Sequence, residues 1–76
     1  MTLRTLICED EPIARLHLRE LITGTNGLSL IGEAADGEAA LSAINGLTPD
    51  LVFLDIRMPL RDGLEVLRAA QHHPAV

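Results

Sequence analysis

Leu51-Val52-Phe53-Leu54-Asp55-Ile56-Arg57-Met58-Pro59 is the stretch that decides the fold. Four apolar residues in a row, introduced by Pro49-Asp50, fit a short strand buried on both faces. Asp55 stands where that strand emerges, and Pro59 and then Asp62-Gly63 shape the exit. A second apolar run, Leu3 to Cys8, leads in the same way into Glu9-Asp10-Glu11. Two acidic groups at two strand ends point to one shared site for a divalent cation and a phosphoryl group.

Between these runs the spacing changes to helical. Pro12 suits a first helical turn, with Asp10 or Glu11 complementing the positive end of the dipole. Ala14, Leu18, Leu21 and Ile22 form the expected inward stripe. Ile13 and Leu16 lie off it and suggest a second contact surface. Gly24-Thr25-Asn26-Gly27 closes this helix. A second strand is expected over residues 28–31, with a continuation to 34. Asp36 reads as the N-cap of a helix carrying Ala40, Leu41, Ile44 and Leu47, with Asn45-Gly46 as its stop signal. After the third strand, residues 51–55, Asp62 and Glu65 have capping-box spacing ahead of a helix carrying Leu64, Val66 and Leu67. That helix is expected to fade at Gln71-His72-His73-Pro74.

The order β-α-β-α-β-α with doubly apolar strands implies an α/β fold, a flavodoxin-like parallel sheet with helices on both faces. Right-handed crossovers put the first strand between the second and third. Ligands in such sheets bind beyond the carboxyl ends of the strands, where the winding reverses. Both acidic clusters fall at that position.

Composition narrows the function. The 76 residues make one domain, and a chain of this size buries only about 60% of its unfolded surface. With 47% apolar residues it is globular, and with Phe53 as the single aromatic its core is aliphatic. A net charge of −5 argues against direct binding to nucleic-acid phosphates. No apolar stretch approaches the length of a membrane span, and no signal-peptide pattern opens the chain. A soluble, cytoplasmic protein is expected, with Cys8 a small buried core residue.

Clustered carboxylates at a strand end repel each other unless a cation neutralises them. Magnesium suits hard oxygen ligands and keeps several of its waters. Asp10 and Asp55 are the candidate ligands, with Glu9 acting directly or through water and the backbone carbonyl of Arg57 completing the protein side. One carboxylate then remains free as a nucleophile, as in aspartyl-phosphate chemistry. His17, His72 and His73 read as solvated helix residues rather than ligands.

Together, Glu9-Asp10 after the first strand and Asp55-x-x-Met58-Pro59-x-x-Asp62-Gly63 after the third resemble the receiver domain of two-component response regulators. The wording Cys8-Glu9-Asp10-Glu11-Pro12 with Leu54-Asp55-Ile56-Arg57-Met58-Pro59 is most similar to receivers of LytTR-type transcriptional regulators. The resemblance runs through residues 1–76 as the N-terminal portion of such a domain. It implies that Asp55 accepts a phosphoryl group from a sensor histidine kinase. It also implies magnesium held by Glu9, Asp10, Asp55 and the Arg57 carbonyl, and a DNA-binding output domain in the parent protein. Any enzymatic character would be limited to self-phosphorylation and dephosphorylation.

Family receivers also carry a Ser or Thr on a fourth strand and a Lys on a fifth, to grip the phosphoryl oxygens. These residues contain no lysine, since all six basic side chains are arginine. An association module that no longer switches is therefore the alternative reading. The third strand is expected to leave its outer edge unpartnered, which would favour self-association through that edge. A hydrolase with an aspartate nucleophile fits less well. Such sites place a second acid two residues after the nucleophile, where this chain has Arg57.

Overall fold

A computed structural model describes residues 2–55 and 62–76. The elements are β1 (Leu3–Cys8), α1 (Pro12–Thr23), β2 (Leu28–Ala34), α2 (Gly37–Leu47), β3 (Leu51–Leu54) and α3 (Gly63–Ala69). The strands form one parallel sheet in the order β2-β1-β3, with β1 in the middle. Alternation along each strand divides the sheet into two faces. Leu6, Cys8 and Val52 turn to one face and pack with Ala40 and Ile44 of α2 and Val66 of α3. Ile7 and, from α1, Ile22 are also fully buried but lie outside that cluster, on the α1 side.

Local chemistry explains where the helices begin. Pro12 opens α1 from an extended Glu11 that makes no side-chain cap bond. Asp36 caps α2 by accepting the Ala39 N–H at 2.8 Å, and Asp62 caps α3 by accepting the Glu65 N–H at 2.9 Å. Both aspartates satisfy a first-turn donor that has no partner inside the helix.

Several expectations need correction. Leu21 is 60% exposed, because Ala14, Leu18 and Ile22 stack at four-residue intervals and turn Leu21 off the contact line. Ile13 and Leu16 lie off that line as expected, exposed at 64% and 41%. The stop signal Asn45-Gly46 lies inside α2, which continues to Leu47 and ends at Thr48 in the left-handed conformation, with φ 45°. Thr48 is held there because Arg4 donates to the Leu47 and Thr48 carbonyls at 2.7 and 2.9 Å, covering the helix end. Asn45 instead caps a neighbour, its Oδ1 accepting the Gln71 N–H at 2.8 Å. His72 is half-buried rather than solvated, and its Nε2 donates to the Pro49 carbonyl at 2.6 Å. The third strand ends at Leu54, one residue before Asp55.

Two features of the sheet also went unforeseen. The β1–β2 register slips between Thr5 and Leu6, whose partners are Leu30 and Gly32. Ile31 is the extra residue of this bulge, and β2 runs through it to Ala34. The outer edge of β3 is not wholly unpartnered. The Val52 N–H donates to the Ala75 carbonyl at 2.8 Å, and the Ala75 N–H to the Asp50 carbonyl at 3.0 Å. The tail thus begins a parallel pairing on the side of β3 away from β1.

Candidate functional site: an acidic pocket at the carboxyl ends of β1 and β3

Because β1 and β3 are adjacent and parallel, the residues that leave them leave side by side. Cys8 pairs with Leu54, and the Asp55 N–H donates back to the Cys8 carbonyl at 2.9 Å. Glu9 is fixed from the other side, its N–H donating to the Ala34 carbonyl of β2 at 2.9 Å. Three strands therefore converge on one point.

Glu9, Asp10 and Asp55 each bring a carboxylate oxygen there, and these oxygens lie within 4.8 Å of one another. Beside them is a cleft of about 210 Å³ lined by Cys8, Glu9, Leu18, Phe53, Leu54 and Asp55. Its lining joins apolar side chains to the carboxylates of Glu9 and Asp55. The volume suits an ion and a phosphoryl-sized group better than a large substrate, whose pockets begin near 300 Å³.

The electrostatics show a cluster under tension. The Glu9 carboxyl is pushed above the usual carboxylate range, first by burial, then by its hydrogen bond to Asp55 and by repulsion from the Asp55 charge. A hydrogen bond from the Glu11 backbone acts the other way and does not prevail. Glu9 Oε2 is buried and has no hydrogen-bond partner among the described residues. Such an atom costs free energy until a donor, a water or a cation reaches it.

A hard divalent cation such as magnesium would answer that need. Ligand oxygens opposite each other on magnesium are about 4.2 Å apart, so oxygens spread over 4.8 Å reach it with small side-chain adjustments or through a bound water. The donor set consists entirely of hard carboxylates, as that ion prefers. Three of the four expected ligands are thereby brought together. The fourth, the Arg57 carbonyl, lies outside the described residues, as does Met58-Pro59. Cys8 is an unsuitable ligand, because burial pushes its thiol up to about 12 and keeps it protonated.

The response regulator receiver domain model matches residues 5–76. The chain belongs to the response regulator receiver family. Among its relatives, the transcriptional regulatory protein BtsR of Salmonella typhi is 40% identical over 76 residues, covering 97% of this chain and 32% of that protein. The response regulator domain of Thermotoga maritima CheB superposes with a TM-score of 0.86 at 31% identity, over 90% of this chain and 51% of that one. The CheY chain of the CheX-CheY-BeF3-Mg complex from Borrelia burgdorferi gives 0.79 at 34% identity, over 86% and 49%. This receiver chain thus spans about a third of that curated relative and about half of the two solved chains. The three-stranded sheet and its helices are the flavodoxin-like receiver fold. Among the described residues, no helix is long and apolar enough to cross a membrane.

One contributor to this receiver's site was missed at the sequence level. Arg15 of α1 donates from Nη1 to the Glu9 carbonyl at 3.0 Å. Its sequence signal is a pair of arginines, Arg15 and Arg19, at helical i, i+4 spacing just after the acidic run.

Proposed function

We propose that Asp55 is the phosphoacceptor of a two-component receiver, taking a phosphoryl group from a sensor histidine kinase with magnesium held by Glu9, Asp10 and Asp55. The observation that carries this reading is the meeting of three carboxylates at adjacent strand ends, one with a buried oxygen that has no partner among the described residues. The similar CheY, solved with BeF3 and Mg, supports the same chemistry here.

The protein's own residues set up the reaction. The β1–β3 pairing fixes the Asp55 backbone at the mouth of the cleft. An Asp55 carboxylate oxygen attacks phosphorus, the P–O or P–N bond to the donor breaks, and the leaving group departs with its electron pair. Bound magnesium supplies charge neutralisation for the phosphoryl oxygens. Leu18, Phe53 and Leu54, which line the cleft, limit water at the acyl phosphate.

The domain is read as the N-terminal part of a receiver over residues 1–76, within a cytoplasmic protein whose output regulates transcription. The relation to BtsR, a transcriptional regulatory protein, supports that output. The LytTR-type assignment rests on the wording around Glu9-Asp10-Glu11-Pro12 and Asp55. The outward side of β3 beyond the Ala75 bridge also supports pairing with a second copy. A concentration-dependent rise in sedimentation coefficient is expected, and a strict monomer at micromolar concentration contradicts it.

Incubation of the protein with acetyl phosphate and magnesium, followed by intact-mass measurement, tests the phosphoacceptor reading. A gain of one phosphoryl group that is lost in Asp55→Asn is expected. A folded sample showing no gain favours the passive association module.

A further inference from the structure

Glu33 of β2 is gripped by two arginines of α1. Arg19 donates to both its oxygens, from Nε to Oε2 at 2.6 Å and from Nη2 to Oε1 at 2.8 Å. Arg15 also approaches this carboxylate, with Nε 3.5 Å from Oε1. The remaining end of the Arg15 guanidinium reaches the Glu9 carbonyl at 3.0 Å. Arg15 and Glu33 are both largely covered, with side chains 23% and 24% exposed.

That carbonyl belongs to the peptide joining Glu9 to Asp10. Because the peptide is planar, a bond held at its oxygen restrains both flanking Cα atoms together. The preceding peptide is already held, since the Glu9 N–H donates to Ala34. With both peptide units pinned, the Glu9 and Asp10 side chains leave a backbone that has little freedom to turn. The rigid fork of arginine performs this span, because one guanidinium serves the carboxylate and the carbonyl at once.

We propose that Arg15 is a positioning residue for the cation site, acting through the Glu9–Asp10 peptide and itself oriented by Glu33. This inference rests on the reading of Glu9, Asp10 and Asp55 as magnesium ligands. It makes a prediction opposite in sign to simple electrostatics. Removing a positive charge near an acidic pocket strengthens cation binding if charge alone matters. Loss of a positioning contact weakens it, as loss of outer-shell partners generally does.

Magnesium titration of the ¹⁵N-labelled full-length protein, followed at the Glu9, Asp10 and Asp55 amides, separates the two. Arg15→Met, which keeps bulk and removes the donors, is expected to bind on the order of tenfold more weakly. Arg15→Lys, which restores a cationic donor without the fork, is expected to recover part of that loss. If the Met variant fails to fold, Arg15→Gln takes its place, and affinity is compared only on samples whose remaining amide spectrum matches wild type. A purely structural Arg15 would lower the unfolding midpoint and leave the affinity of the folded protein unchanged. Binding by the folded Met or Gln variant that equals or exceeds wild type overturns the proposal. A wild type whose three amides do not respond to magnesium overturns it together with the cation reading.

Discussion

The surroundings of Glu9 and of Glu33 move their proton affinity in opposite directions. Glu9 is raised by burial and by Asp55, so its charge opposes folding at neutral pH. Replacing it with Gln is expected to raise the unfolding free energy of the magnesium-free protein, measured by urea titration, by up to about 1 kcal/mol, a typical size for a single-site change. The same change should reduce the further rise expected on adding magnesium to wild type. Glu33 is lowered, chiefly by its hydrogen bonds from Arg19. A group lowered from its ordinary 4.5 adds stability above that value and loses it as pH falls through the lowered one. Glu33→Gln should therefore lose less stability than wild type between about pH 7 and about pH 3 in urea titrations. An equal loss in both proteins contradicts the ion-pair account. At this scale the sequence disclosed the acids and concealed their partners. Arg15 and Glu33 are 18 positions apart in the chain, and only the α1–β2 crossover makes them neighbours. His72 looked solvated because its contact, the Pro49 carbonyl, is likewise distant in the chain.

The elements follow from local punctuation. Apolar runs bounded by Pro12, Asp36, Pro49-Asp50 and Asp62 were enough to give β1, both capped helices and the central place of β1. The two aspartate caps rest on single hydrogen bonds that the sequence announces by spacing. Asp36→Ala is expected to cost about 1 kcal/mol of stability, and Asp62→Ala a similar amount, measured by urea unfolding. Losses near zero would show that neither cap is needed. Helix ends were harder to read than helix starts. Asn45-Gly46 has the usual stop composition, yet α2 passes through it because Arg4 can cover the Leu47 and Thr48 carbonyls. The bulge at Ile31 was equally hidden, since one extra residue leaves no mark in an apolar run. Leu21 was misplaced because residues 18, 21 and 22 all fit a helical stripe, and only the line of contact with the sheet chooses among them.

At the scale of the whole molecule, the sheet converts sequence separation into proximity. Glu9-Asp10 and Asp55 meet because β1 and β3 are parallel neighbours, and crossover handedness alone predicts that neighbourhood. The core that holds this geometry is small and aliphatic. Ile44 sits fully buried among Leu6, Val52 and Val66, so Ile44→Ala is expected to cost about 2–4 kcal/mol. That is a large share of the stability of a domain this size, and circular dichroism should show a substantially lower melting temperature. The central claim is that this fold presents Asp55 as the phosphoryl acceptor. Borohydride reduction of the phosphorylated protein converts an aspartyl phosphate to homoserine, which peptide mapping locates by residue. The account predicts homoserine at position 55 in a magnesium-dependent yield; reduction at Glu9 or Asp10 instead, or at no residue of a folded and phosphorylated sample, would contradict it.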